Sequence, residues 1–580
     1  MNLSYKALAV ICSVAVSFVS GCGSEHTSSY SSDKVPPLFS QGAQHPAAAP
    51  QQAEQADFIP ASDAACSISF AEAQIGVRGE GVQIQGKSAV ISSGGVYNVS
   101  GSCSDGKLLI SSSEPVSLIL SGLTLKSADG AAIECSESAP LMLTISTDNI
   151  INGIEATGAV TINGSGSLEI SDCGTAISCD VLKLCGAALD IRASGDAIVT
   201  GSCVISAAGS AAVRSSGDGI RTDGHLSLTD GTLDIISAQD GIHAVEAVYV
   251  SGGALSVTSG GGSSAVKLLR SRTGGHYGRH GGYSTNSSDR FDFSDLVTGD
   301  GRPVASKKGI RSDGNIVIGG GTVTVSSADD SISARGSAAF AGGTVKLSTG
   351  DDAISALYGV TIDDGTLDVK ASYTAIEALN ISVSGGSSSL HSFNDGICAA
   401  GSIQGADPDI TDRYVSISDG TLTINAGGSG ISSEGTLAVS GGDITVFSSE
   451  DSSGGALAYG DSFAISGGSL AVFGPAEDAM APTLVTGPCI SLYASAQANS
   501  TIQLTDSVGT VLLDVTLPEA CSCVIISSEA LRVGEAYTLL CNGTALTSVT
   551  AADGICGGGP DGRDGGIYND IDDTSDGIAA

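Results

Sequence analysis

The chain has 580 residues, of which 80 are glycine, roughly double the ordinary share, while apolar residues make up 41%. That combination excludes general disorder and points to repeats rather than to several ordinary domains. A net charge of −37, from 62 acidic against 25 basic residues, argues against nucleic acid and anionic membrane surfaces as partners; without Trp, rings for stacking on sugars must come chiefly from Tyr.

Residues 1–21 have the order of a signal peptide: Lys6, an apolar run from Ala7 to Val19 too short to span a membrane, then Val19-Ser20-Gly21-Cys22. Small residues before a cysteine resemble a bacterial lipobox. The resemblance implies cleavage before Cys22, lipidation of it, and a protein held on the extracellular face of the bacterial cell membrane by this anchor alone. An ordinary secretory signal with a chance cysteine is the alternative. Residues 22–64, rich in Ser, Pro, Gln and Ala without apolar periodicity, read as a flexible tether.

Self-similarity organises residues 65–474. The pattern acid, small residue, Ile places its Ile at 198, 220, 242, 310, 332, 354, 376 and 397, a spacing of 22 or 21 broken by one gap of 68. A second marker, the glycine before a strand, falls at 231, 253, 321, 343, 365, 386, 420, 442 and 468. Each unit alternates with period 2, as in Gly224 to Leu228 and Gly231 to Ile235, and helical periodicity is absent. A unit of this length suffices for one three-sided coil, and coils stacking at about 4.8 Å bury their inward Ile, Val and Leu on one another. The predicted fold is all-β, a parallel β-helix of roughly 16 or 17 coils. Insertions at 271–306 and 406–414 leave the rod. Residues 475–550 lose the period and read as a small C-terminal β cap; 551–580 read as a disordered Gly/Asp-rich tail, whose acidic run lacks the Gly and Glu of an EF-hand.

Residues one period apart stack, so columns are legible. Asp196, Asp218 and Asp240 lie two positions before the Ile, as do Asp330, Asp352 and, after Thr374, Asp395; Asp329 and Asp351 lie three before it. Stacked carboxylates repel and call for a cation, a basic neighbour or raised pKa values. Calcium, which takes many oxygen ligands, suits such a column; the alternative is that each Asp merely caps backbone N–H groups at its corner. One position after the Ile stand Arg221, His243 and Arg311, with Lys267 in an analogous place and Lys308 nearby. These groups suit sugar carboxylates, or they simply neutralise the acidic column. A lyase would need a cation and one of these bases. A hydrolase would need two carboxyls on one sugar, yet adjacent strand residues such as Asp329 and Asp330 are expected to point to opposite faces. The thirteen cysteines after Cys22 show no zinc spacing and, as at Cys103, Cys179, Cys203 and Cys398, sit where small buried thiols fit.

The series Lys308-Gly-Ile-Arg-Ser-Asp313, Ala328-Asp-Asp-Ser-Ile332, Gly350-Asp-Asp-Ala-Ile354, Tyr373-Thr-Ala-Ile-Glu377 and Asn394-Asp-Gly-Ile397 resembles the rung signatures of bacterial carbohydrate-binding-domain lipoproteins. Gly94 to Gly101, Asp105-Gly106 and Leu118 to Leu123 are similar to that family's opening segment. The resemblance implies a right-handed helix, similar in fold to pectate lyases, that binds calcium and plant cell-wall polysaccharides such as cellulose and polygalacturonate without known cleavage. It puts acidic corners on Asp329, Asp330, Asp351, Asp352 and Asp395, and adds Asp313 and Glu377 to the ligand-binding set. Ser331 and Ala353 depart from the family's usual glycine. The expected protein is a monomer that binds polysaccharide, pectin-like rather than cellulosic; a lyase and a structural adhesin remain the alternatives.

Overall fold

The computed structural model describes residues 52–206, 209–265, 306–400, 413–450 and 455–560. The signal peptide, Cys22, most of the tether, Lys267, nearly all of both insertions and the acidic run of the tail lie outside the described residues.

A regular coil passes through three short strands. Around Asp218 they are Ile220–Thr222, His225–Leu228 and Thr232–Ser237, here the first, second and third faces. Each pairs in parallel with its counterpart one coil on: Ile220 with Ile242, Leu226 with Val248, Leu233 with Leu255. Alternation sends Ile220, Leu226, Leu233 and Ile235 inward, where all are fully buried. The first-face aliphatic column begins earlier than the acid-small-Ile motif, running through Leu108, Ile133, Ile154 and Ile177, and goes on to Ile431 and Leu457. Burying one such side chain contributes about 1.5–3 kcal/mol, repeated at every coil, so the interior holds the stack together and the corners are left for polar chemistry.

The chain is a right-handed parallel β-helix of about 15 turns. That is fewer than the composition of the rod suggested, because its start is irregular: Cys66–Ala71 folds back on Gln74–Arg78, and Val82–Gln85 on Ser88–Ile91, as antiparallel hairpins. At the corner between second and third faces all nine marker glycines have φ between 71° and 92°, a region that a Cβ makes costly. At the entrance to the first face, a Cβ on Gly219 would sit 2.4 Å from Ile235 Cγ2. Ser331 and Ala353 occupy the equivalent place without breaking the ladder, since Ile310 N–H and Ile332 N–H still donate to their carbonyls at 2.9 and 3.1 Å. Ile242 pairs directly with Ile310, so the gap of 68 is one coil plus an excursion. The second excursion ends sooner than expected, because Tyr414 already opens the strand Tyr414–Ala426 and pairs with Asn380.

Both ends correct the sequence reading. The stretch 52–64 is not tether throughout: Gln55–Phe58 forms a 3-10 turn whose Asp57 is ion-paired to Lys183 at 2.9 Å, while Asn163 donates to the Asp57 and Ile59 carbonyls. Beyond Gly474, Cys521–Ser528 pairs antiparallel with both Ser469–Gly474 and Pro488–Ala496, ending the parallel ladder. A separate four-stranded antiparallel sheet follows, and the cap has its own core around Phe473, Ile526 and Tyr537. The cap reaches past residue 550, because Gly554–Cys556 pairs with Pro488–Ala496. Among the described residues there is no disulfide; most of the thiols are buried, and burial pushes Cys179 up to about 11.

Candidate functional site

Where the third face turns into the first, the predicted acidic column forms a ridge along the rod. Its carboxylates are tied to backbone in a repeating way. Asp196 Oδ1 accepts the N–H of Asp218 at 2.8 Å, Asp218 Oδ1 that of Asp240 at 3.0 Å, and Asp240 Oδ1 that of Lys308 at 2.8 Å. Further on, Asp352 Oδ1 accepts from Thr374 N–H at 3.1 Å and Asp395 Oδ1 from Ser429 N–H at 2.8 Å. One oxygen of each Asp therefore caps the next coil, as the turn alternative requires, and the other is left for further chemistry.

Lys308, expected only to lie near the basic column, has a more specific place. It stands two residues before Ile310 and so within the acidic column itself, where other coils carry Asp. Its Nζ lies 2.7 Å from Asp330 Oδ2 and 3.2 Å from Asp329 Oδ1. The expectation that these neighbouring carboxylates face apart fails here because the chain is turning a corner rather than running as a strand. Both converge on one ammonium.

The first-face column beside the ridge is also as predicted in register, Arg221 against His243 against Arg311, and then Ser333, Ser355 and Glu377. Arg311 reaches Asp240 Oδ2 at 3.6 Å and Asp313 Oδ1 at 3.3 Å, while His243 Nε2 lies 3.4 Å from Asp313 Oδ2. Arg335 joins Asp313 at 3.8 Å. The sequence reading missed Arg335, although it occupies the Asp313 position one coil later. Arg221 is exposed and makes no ion pair among the described residues. Glu377 is buried and shares a hydrogen bond with Asp352.

Electrostatics follow from this crowding. Burial, then repulsion from Asp240 and Asp196, pushes the Asp218 carboxyl up to about 7 against the pull of Arg221. Burial and Asp330 push Asp329 up to about 6 although Lys308 opposes them. Asp352 rises well above the carboxylate range through lost solvation and the charges of Asp351, Glu377 and Asp330. Burial takes Asp395 to about 6.

Among the described residues, two groups bring ligand atoms within 4.8 Å of one another: Asp218, Asp240 and His243, and Asp329, Asp330 and Asp351. The first offers a hard cation only its two carboxylates, since an imidazole suits softer metals. The second is all oxygen, and Asp329 Oδ2 is buried without a hydrogen-bond partner. Its donor chemistry fits calcium, with Lys308 as the competing charge. Asp196, Asp352 and Asp395 stand apart from both groups.

Among solved structures, the polysaccharide lyase-like protein from C. thermocellum, studied as a gadolinium derivative, aligns with 55% of this chain and 92% of its own at 14% identity and a TM-score of 0.18. No curated protein matches the chain. The family described as carbohydrate-binding domain-containing protein matches residues 85–353 and 351–486, which hold the whole ridge from Asp196 to Asp395. With more than half of its length so matched, the chain belongs to the carbohydrate-binding domain-containing family.

Proposed function

We propose that this protein is a non-catalytic polysaccharide-binding rod, anchored through Cys22 to the outer face of a bacterial membrane, whose ridge holds acidic, pectin-like glycan with the help of calcium. The observation that carries this reading is the exposed guanidinium of Arg221 beside the Asp218, Asp240 and His243 group. Arg presents a planar fork that matches a sugar carboxylate, and a divalent ion on neighbouring carboxylates supplies a second, bridging contact. Asp218 and Asp240, and separately Asp329, Asp330 and Asp351, would hold the ion; when bound it supplies positive charge to both protein and sugar oxygens. The chain's own residues orient the glycan: coils repeat at about 4.8 Å, so a polymer lying along the ridge meets Arg221, His243 and Arg311 on successive coils.

The test is retention of the full chain in polygalacturonate affinity gels, with calcium and with chelator, while its melting temperature is followed. Retention lost in chelator with the fold intact supports the reading. No retention in calcium sinks the pectin assignment. The lyase is the second reading, and Arg221 favours it only in being exposed, since Lys308 and Arg311 are already committed to carboxylates. Release of unsaturated sugars from polygalacturonate decides for it.

A further inference from the structure

Beside the first coils of the ridge, a shallow, wide-open groove of about 740 Å³ lies on the surface of the earlier coils. It is lined by Lys126, Glu169, Asp172, Gly174, Arg192 and Ser194 among others. The cause is local. The register between Ser167–Cys173 and Ala188–Ala193 shifts between Ile170 and Cys173, and Asp172 adopts φ 61°, in the left-handed region. Such a bulge bends the strand outward and re-aims side chains, a device common beside functional sites.

The charges lining it are unusual for a chain this acidic. Lys126 reaches across two coils to Asp172. Arg192 pairs with Glu169 at 3.3 Å and with Asp190; Arg214, its neighbour in register, lies 3.8 Å from Asp190. Side chains of Lys126, Arg192 and Arg214 remain 36%, 52% and 45% exposed, and solvent-exposed pairs of this kind exchange readily, being worth about 0–1 kcal/mol. A simple anion would gain the cations but meet Glu169 and Asp172. A neutral polyol would satisfy the carboxylates and leave the cations to each other. A group bearing one carboxylate and several hydroxyls satisfies both.

We infer that this groove is a second glycan site, resting on the polysaccharide reading above, and that it takes a uronate residue, with the sugar carboxylate on Arg192 and Lys126 and its hydroxyls on Glu169, Asp172 and Ser194. Ser194 and Ser216 sit two residues before Asp196 and Asp218, so the groove opens onto the beginning of the ridge, and one polymer can engage both.

Gly174 allows a clean test. A Cβ built there meets nothing within 4 Å and its φ is not in the left-handed region, so Gly174→Leu adds apolar bulk to the groove's lining at a position that tolerates a side chain. Titration calorimetry with galacturonate trisaccharide is run on the full chain, on Gly174→Leu, on Arg192→Ala and on the ridge variant Arg221→Ala, with melting temperatures in parallel. The groove assignment expects Gly174→Leu and Arg192→Ala each to remove one of the two sites counted on the unmodified chain, at unchanged melting temperature. Unchanged binding in both, with loss only in Arg221→Ala, overturns the groove and leaves the ridge. Failure of the unmodified chain to bind overturns the groove too; retention of that same protein on a neutral glycan then shows that the polysaccharide reading survives.

Discussion

The two halves of the ridge are built on one backbone plan and differ in how their carboxylates are compensated. From Asp196 to Asp330 cations are interleaved with the acids: Lys308 inside the column, Arg311 against Asp240 and Asp313, Arg221 beside Asp218. From Asp352 to Asp395 the plan is acid upon acid. Asp352 leans on Glu377, and neither Asp352 nor Asp395 makes an ion pair among the described residues. The backbone cap is the same in both halves, since Asp240 and Asp352 each accept an N–H from the next coil. The repeat therefore fixes where a carboxylate stands, and the residues one coil away decide whether its charge is neutralised by the protein or left for a proton or an outside cation.

Removing the internal cation should break the difference most severely. Lys308→Met strands two buried carboxylates, and breaking a buried pair in this way costs about 3–5 kcal/mol, read as a lower urea midpoint at pH 8. The loss should shrink at pH 5, because Asp329, already raised to about 6, then protonates. A midpoint unmoved at pH 8 would show that Lys308 does not compensate the column.

Acidity is the next lever. Asp218 at about 7, and Asp329 and Asp395 at about 6, bind protons more readily folded than unfolded. Their stabilisation is fully present below the ordinary carboxylate pKa and is lost as pH rises through 6 and then 7. In chelator the melting temperature should accordingly rise as pH falls from 8 to 5. Calcium should supply much of the same gain at pH 8 if it sits on these groups. A melting temperature that falls steadily over this range would contradict the raised carboxyls at Asp218, Asp329 and Asp395.

Much of this was legible in the sequence, and the exceptions share a cause. A period of 22 and alternation along each strand place Ile220, Ile242 and Ile310 in one column because parallel stacking repeats every coil without loss of register. The corner Asp residues follow from the same offset. Lys308 obeys it too, two residues before Ile310, but an amino group breaks a pattern sought by its acidity. Contacts without a period stayed hidden. Asp57 and Lys183 are 126 residues apart, and neither the bulge at Asp172 nor the pairing of Gly554–Cys556 leaves a repeat signal. Convergence of Asp329 and Asp330 was misread because strand geometry does not hold at a corner.

A pair of amide substitutions sharpens the comparison at smaller scale. Asp352→Asn keeps an acceptor for Thr374 N–H and gives Glu377 a donor in place of a charge. It should raise stability by about 1 kcal/mol at pH 8 in chelator, the worth of a relieved buried charge offset by imperfect geometry. Asp240→Asn removes a charge that Arg311 faces and should lower stability by a similar amount. Equal signs in thermal unfolding of the two variants would mean the halves are not electrostatically different.

The smallest effect on the fold, and the most selective one on binding, belongs to Arg221. Its guanidinium is exposed and acts on Asp218 only at a distance, without an ion pair among the described residues, so Arg221→Lys and Arg221→Ala should each leave stability within about 0.5 kcal/mol. Retention on polygalacturonate should nonetheless separate them. Lysine keeps the charge but not the two-pronged geometry, and alanine keeps neither, so affinity should fall in the order Arg, Lys, Ala, with roughly tenfold between the ends, as expected for one charge-assisted contact near 1.4 kcal/mol. Equal retention of all three would take the glycan contact off Arg221.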